Sequence, residues 1–351
     1  MAMPPLLVHY PLSFVSSQKQ YPNTSSDLTS ATLGGQILGC SDEWFADASN
    51  LINPKPAIQD KTKFVFSGAW YDGWETRRHN TEPFDWVIIR LGVASGTVSG
   101  VEVDTAFFSG NHAPFISVEG VFSDNDKEVV SWAGGKGKWE PVLDIQECGP
   151  SARFGWKLEQ KTKPFTHVRL NMYPDGGIAR FRLFGTAVPV FPADTSAIFD
   201  LASAQNGGVA ISCSDEHFGT KANLLLPGRG ENMGDGWETS RTRAPGHVDW
   251  TIIKLGARGV IQNFVVDTAH FRGNFPQKVR IEAICWTQDG EPKNDSDGWE
   301  VVVEDAKTKG DTEHDFPSKN TEDDFTHIKL VIIPDGGVKR IRAFGRRELE
   351  Q

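Results

Sequence analysis

Cysteine is scarce in this chain of 351 residues. Cys40, Cys148, Cys213 and Cys285 are the four present, and they form neither a CxxC nor a zinc-type pairing, so neither a disulfide framework nor a sequence-encoded zinc site is expected. Buried, reduced thiols are the expectation instead. Long apolar runs are also missing: nothing approaches the roughly 18 residues a membrane span needs, and Met1 to Tyr10 lacks a basic segment followed by an apolar stretch. The reading is a cytoplasmic protein with no membrane partner, and the C-terminal Arg-Arg-Glu-Leu-Glu-Gln carries no peroxisomal or reticular retrieval signal. Positive charge is in deficit, with 36 Lys and Arg against 46 Asp and Glu, a net charge of −10. A broad phosphate-binding surface, and with it a nucleic-acid partner, is excluded on that balance. No window of 11 or more residues sustains helical apolar spacing, which argues against a helical layer. Finally, no HExxH, GxSxG, Walker or dinucleotide-binding constellation stands in a suitable context.

What the chain does have is repetition. Its length suggests about two domains, and Gly-Gly-x-x-x-x-Cys-Ser-Asp-Glu-x-Phe at 34–45 recurs at 207–218. Asp72-Gly73-Trp74-Glu75-Thr76 returns as Asp235-Gly236-Trp237-Glu238-Thr239, and Val103-Asp104-Thr105-Ala106 as Val266-Asp267-Thr268-Ala269. Phe165-Thr166-His167 returns at 325–327, and Pro174-Asp175-Gly176-Gly177 at 334–337. The spacing between copies shrinks along the chain, so the second copy has lost loop residues while the order of blocks is unchanged. This is a tandem duplication. The expected organisation is an N-terminal arm at 1–25, a first repeat at 26–185, a linker at 186–200 and a second repeat at 201–346. The arm, with Leu6, Leu7, Val8, Leu12 and Phe14 and no counterpart in the second half, would expose an apolar patch if left free. It is expected to dock, and a homo-oligomer to which the arm contributes is the expected assembly.

Within each unit, Trp86–Gly92, Val101–Asp104, Phe115–Glu119, Phe165–Met172 and Ile178–Phe184 are short, rich in β-branched and aromatic residues, and bounded by Gly, Pro or Asn. These read as strands, and the fold class as all-β, each repeat a sandwich or jelly roll. Asp175-Gly176-Gly177 reads as a hairpin turn. A period of two places Thr166, Val168 and Leu170 toward the core and Phe165, His167 and Arg169 on the other face. On that face His167 and Arg169, like Arg180 and Arg182 on the next strand, are expected to lie solvated.

The densest polar stretch runs from Asp72 to His79, with its counterpart from Asp235 to Thr242. Two acids, a Trp and one or two arginines in such a stretch can clamp a small anion through guanidinium hydrogen bonds while the acids accept from amide-type N–H groups. A carboxylic acid of raised pKa there could protonate a leaving nitrogen. The competing reading is an ion-paired loop with Trp74 or Trp237 plugging the core. Asp104 and Asp267 end strands, and Gly110-Asn111 and Gly273-Asn274 follow six or seven residues later. Such positions hold sites, or else the Asp caps its turn. His112 stands in the first copy where the second has Phe275, and His270 in the second where the first has Phe107. Each alone reads as a structural hydrogen-bonder more often than a catalyst. Spacing alone yields no metal site, although scattered His, Asp and Glu could meet in space, so the metal requirement stays open between none and a divalent ion.

Asp-Gly-Trp-Glu-Thr-x-Arg in both halves, Asp-Trp before Ile-Ile-x-Leu-Gly at 85–92 and 249–256, Val-Asp-Thr-Ala with Phe-x-Gly-Asn, and Tyr-Pro-Asp-Gly-Gly-Ile-Ala-Arg resemble the allantoicase family over roughly residues 30–346. The resemblance implies two jelly-roll units similar to galactose-binding and discoidin-type domains. It also implies the amidinohydrolase reaction of purine (allantoin) degradation, allantoate plus water giving ureidoglycolate plus urea. The second half departs at Ser240, where the first has Arg77. A carboxylate bearing two ureido arms needs a cation and several acceptors. Arg78 or Arg241 fits the first task, with Arg77 beside Arg78; Asp72, Asp104, Asp235 and Asp267 fit the second, with Asn111 and Asn274 in reach of the same loops. Glu75 and Glu238 are the acid/base candidates, with His270 the alternative. The rival function is a non-enzymatic carbohydrate-binding or small-ligand-binding tandem β-sandwich module, because fold does not fix function.

Overall fold

The computed structural model describes residues 25–135 and 137–348; the arm expected at the N-terminus lies almost entirely outside them. Contacts divide the chain into two compact units between Val188 and Pro189. In the first unit, Ser26–Asp27, Arg180–Ala187, Gly96–Asp104 and Arg153–Lys157 form one antiparallel sheet in that spatial order. Gln36–Cys40, Asp85–Arg90, His167–Tyr173, Phe115–Val121 and Glu140–Glu147 form the other. Alternation along His167–Tyr173 sends Val168, Leu170 and Met172 to one side, all fully buried, and the facing sheet contributes Val101, Val103, Phe181 and Leu183. Each unit is thus a jelly-roll sandwich, and Asp126–Ser131 is the one α-helix among the described residues.

The second unit repeats the plan with one change. A single strand, Asp249–Asp267, spans what the first unit divides into Asp85–Arg90 and Gly96–Asp104. Its first half pairs with Val209–Cys213 and Phe325–Ile333, its second half with Arg340–Arg347 and Glu313–Pro317, and the register breaks between Lys254 and Gly259.

Three expectations from sequence are corrected. The basic residues assigned to a solvated face are covered. His167 and Arg169 are buried because the helix and the turn after it lie over the sheet. His167 Nε2 meets Asp126 Oδ1 at 3.1 Å, and Arg169 donates to the carbonyls of Ala133 and Gly135 and to Glu119. Arg180 and Arg182 are likewise roofed by the segment 48–72, to whose Leu51, Asn53, Lys55 and Pro56 carbonyls they donate. A guanidinium carries five donors, so a loop with unpaired carbonyls can be seated on it without leaving those groups orphaned.

Residues 174–179 are not a hairpin between neighbouring strands. The chain leaves one sheet at Tyr173 and joins the other at Arg180, and between them Gly177–Ile178 pairs with Trp74–Glu75. The glycines serve close packing: at Gly176, φ is +149°, and a Cβ on Gly177 would lie 2.1 Å from the Phe108 ring. Lastly, all four cysteines are free thiols, but only Cys148 is buried and Cys285 is exposed.

Candidate active site

Trp74 and Trp237 have no exposed surface, and each indole N–H donates to a backbone carbonyl, Asp42 O at 2.7 Å and Asp215 O at 2.8 Å. The loop is therefore anchored by its Trp, as the competing structural reading expects, and the anchor fixes the residues next to it. Glu75 pairs with Gly177 across the short ladder, Thr76 N–H donates to Gly176 O at 3.0 Å, and Gly176 N–H returns to Thr76 Oγ1 at 3.2 Å.

Held this way, Glu75 is buried, and its Oε1 accepts from Asn111 Nδ2 at 2.7 Å. Burial pushes its carboxyl above the ordinary range, offset in part by the Asn111 bond and the Arg78 charge. Arg78 Nη1 donates to Asp175 Oδ1 at 2.8 Å, and Asn80 N–H closes on Asp175 Oδ2 at 3.2 Å. The second unit repeats the cluster, except that the amide closing on the aspartate comes one residue after the arginine rather than two. Asn274 Nδ2 reaches Glu238 Oε1 at 2.5 Å, Arg241 Nη1 reaches Asp335 Oδ1 at 3.1 Å, and Thr242 N–H reaches Asp335 Oδ2 at 2.9 Å. The second copy is more open, with the Arg241 side chain 53% exposed against 34% for Arg78.

The structure thus brings Glu75, Arg78 and Asn111 together, and Glu238, Arg241 and Asn274. It commits the other predicted residues elsewhere. Asp72 binds Arg180 Nη2 at 2.8 Å and Ile58 N–H at 2.9 Å. Asp235 binds Lys339 and caps a 3-10 turn with Asn232. Arg77 is largely exposed and paired with Asp42. Asp104 Oδ1 caps its own turn through Ala106 N–H while Oδ2 takes Arg153; Asp267 does the same with Ala269 and Arg229. The two arginines come from different elements, Arg153 from the strand Arg153–Lys157 and Arg229 from a loop, and Glu313 stands in the second unit where the first has Arg153. His270 sits at φ +69°, its amide donating to Asp311 Oδ1 at 2.9 Å.

Sequence reasoning missed Asp175 and Asp335 as site residues, because Pro-Asp-Gly-Gly reads locally as a turn. The signal was their repetition in both halves. It also missed Glu102, whose second-unit counterpart is Val265: burial pushes its carboxyl up to about 7, partly offset by Arg153 and Arg182, and Oε2 is buried without a hydrogen-bond partner.

A cavity of about 640 Å³ opens beside the first cluster, lined by Ser41, Asp42, Arg77, Arg78, Asn80 and Trp86 among others. Glu75 and Asn111 are not in its wall, so Arg78 is the link between cavity and acid. His79, next to Arg78, holds φ at +63°, a conformation uncommon for side chains of this size and one that clusters at functional sites. Among the described residues no three His, Cys, Asp or Glu side chains converge as a metal-binding group, and no helix is long and apolar enough to cross a membrane.

Fold and site together define a duplicated jelly-roll protein in which each unit presents one glutamic acid held by an asparagine beside an arginine–aspartate pair, an arrangement suited to a small anion with N–H donors. The model of the allantoicase repeat matches residues 26–188 and again 199–348. The chain is 68% identical to the allantoicase of Neurospora crassa over 330 residues, 94% of this chain and 93% of that one. It is 50% identical to the allantoicase of Saccharomyces cerevisiae over 92% of this chain and 94% of that one. The crystal structure of the Saccharomyces cerevisiae enzyme superposes with a TM-score of 0.77 at 47% identity, covering 92% of this chain and 93% of that chain. The chain belongs to the allantoicase family.

Proposed function

We propose that the chain hydrolyses allantoate to ureidoglycolate and urea, the amidinohydrolase step of allantoin degradation. The observation that carries the reading to individual residues is the buried Glu75 carboxyl, fixed by Asn111 and set beside the Arg78–Asp175 pair. Arg78 has a guanidinium face left for the substrate carboxylate. Glu75, whose proton is held more tightly than in water, supplies it to the departing urea nitrogen as the C–N bond breaks and the oxygen of water bonds to the same carbon. Glu238, Arg241 and Asn274 hold the equivalent places in the second repeat. With a net charge of −10, the protein repels the anionic substrate at long range, so the local arginines must reverse the field. Repeat boundaries at 26–185 and 201–346 around a linker at 186–200 belong to this reading.

Urea released from allantoate by the purified chain is the direct test, and its absence overturns the reading. Arg78→Lys is expected to raise KM by about 10–100-fold, because a two-pronged clamp becomes a point charge and charge-assisted hydrogen bonds contribute about 1.5–3 kcal/mol. Steady-state kinetics at fixed ionic strength check it, and an unchanged KM removes the clamp role.

We further place the protein in the cytoplasm, consistent with four unpaired cysteines, and read it as a homo-oligomer. Light scattering on the full chain is expected to give a multiple of 38.7 kDa, and deletion of residues 1–20 a smaller mass. A full-length monomer rules out the oligomer, and a truncated chain of unchanged assembly rules out the arm.

A further inference from the structure

Hydrolysis at a saturated carbon needs two proton carriers, one to give a proton to the departing nitrogen and one to take a proton from the attacking water. Glu75 is the first, and the carboxylates around it are committed. Asp175 holds Arg78 and Asn80, Asp104 holds Arg153 and its own turn, and Asp72 holds Arg180 and Ile58. Asp42 holds Arg77, and Asp85 accepts from Ser41. Glu102 stands between Arg153 and Arg182 on the outer face of the other sheet, beneath the segment 48–72 that Arg182 holds. His112, like Glu102, has a buried polar atom without a hydrogen-bond partner, but it stands on the same short ladder as Glu75. The atom is Nδ1, and the residue as a whole is half-buried.

Its position is set by the same short ladder that sets Glu75. Gly177 pairs with Glu75 on one side and bridges to His112 on the other, so the two side chains share a face. At the usual strand spacing their Cα atoms are roughly 10 Å apart. Gly177 has no side chain to separate them, and the gap is filled by the Phe108 ring. Residue 111, immediately before His112, is the Asn that holds Glu75.

We propose that His112 takes the proton from the attacking water in the first repeat, so that the two repeats are chemically unequal: the second has Phe275 at this position and lacks the carrier. The proposal rests on the allantoate reading above. In the step, the water O–H bond breaks and its proton goes to the imidazole lone pair. The hydroxyl oxygen bonds to the carbon, the C–N electron pair leaves with urea, and the urea nitrogen takes the Glu75 proton. A proton then returns from imidazolium to carboxylate through solvent, which closes the cycle. The titratable and charged groups on the segments around His112 are Glu75, Arg78, Asp175 and, on the strand ending beside Pro114, Glu147.

His112→Phe places in the first repeat the residue that the second accommodates half-buried at the same position, so the variant is expected to fold with an unchanged Tm. Its kcat for urea release is expected to fall by about 10²-fold or more. A wild-type decline in rate toward low pH, where a general base is lost to protonation, is expected to disappear with it. His112→Ala is expected to regain rate when free imidazole is added. A variant that keeps kcat and the low-pH limb overturns the proposal. So does one that loses activity in proportion to folded protein, with an unaltered pH profile and no imidazole rescue. Wild-type chain that releases no urea fails the functional reading itself, a separate result obtained before any variant is made, and the proposal falls with it.

Discussion

Glu75→Gln is expected to lower kcat by about 10²–10⁴-fold while leaving the melting temperature where it is. Both halves of that result follow from one geometry. Glutamine keeps an Oε1 acceptor for Asn111 Nδ2, so the 2.7 Å bond that orients residue 75 survives, but the amide has no proton of useful acidity to give. Stability holds because the folded protein binds the Glu75 proton more tightly than the unfolded chain does. The favourable contribution of a raised carboxyl is fully present below its unfolded pKa and is lost as pH rises through the folded value. Wherever Glu75 is ionised its burial is unfavourable, and a neutral amide carries no such cost. The same shift sets the pH profile: an acid that must hold its proton loses activity as pH rises through its raised pKa, and this limb should vanish in the variant. Kinetics and thermal denaturation on the same preparation decide between roles. A variant that melts early at full specific activity makes Glu75 structural, and the ion-paired loop reading then accounts for the cluster.

The largest loss of stability is expected at Arg180. Its guanidinium donates to Lys55 O, Asp72 O, Pro56 O and Ala179 O and pairs with Asp72 Oδ2 at 2.8 Å, with both side chains buried. Arg180→Met fills similar space but leaves the Asp72 charge and several carbonyls without their donor. Removing one partner of a buried pair costs about 3–5 kcal/mol, which for a unit of this size is roughly 10 °C in Tm. Arg77→Ala is the matched control, because its pair with Asp42 is 64% exposed on the arginine side and exposed pairs contribute about 0–1 kcal/mol. Calorimetry on the two variants tests the contrast, and an Arg180→Met protein within about 1 kcal/mol of the parent, the range of an exposed pair, would show that the roof over this sheet is held by something else.

Local pattern carried the architecture. Period-two alternation in Phe165–Met172, turn residues between strands and the return of whole blocks in the second half are properties of neighbouring residues, and they placed the duplication, the Trp-Glu loops and most of the strands, while Ile178–Phe184 is divided between two sheets. The same locality misled where a residue's fate depends on what covers it. Arg169 and Arg180 alternate with apolar residues as solvated side chains would, but the turn after the helix Asp126–Ser131 and the segment 48–72 fold over them and use them as donors.

The sequence by itself determined an all-β tandem repeat with an acid-and-arginine cluster in each copy, because periodicity, turn chemistry and self-similarity are all written along the chain. Only the tertiary structure decided which of those acids are available. Asp72, Asp104, Asp235 and Asp267 match Glu75 in charge and in repetition, yet each is committed to an arginine or lysine: Asp72 to one 108 positions away, Asp104 to one 49 away and Asp267 to one 38 away. Asp175, which reads as a turn, joins the site through an arginine 97 positions before it. A carboxylate's role depends on burial and on which cation lies within about 3 Å, and spacing along the chain does not encode either.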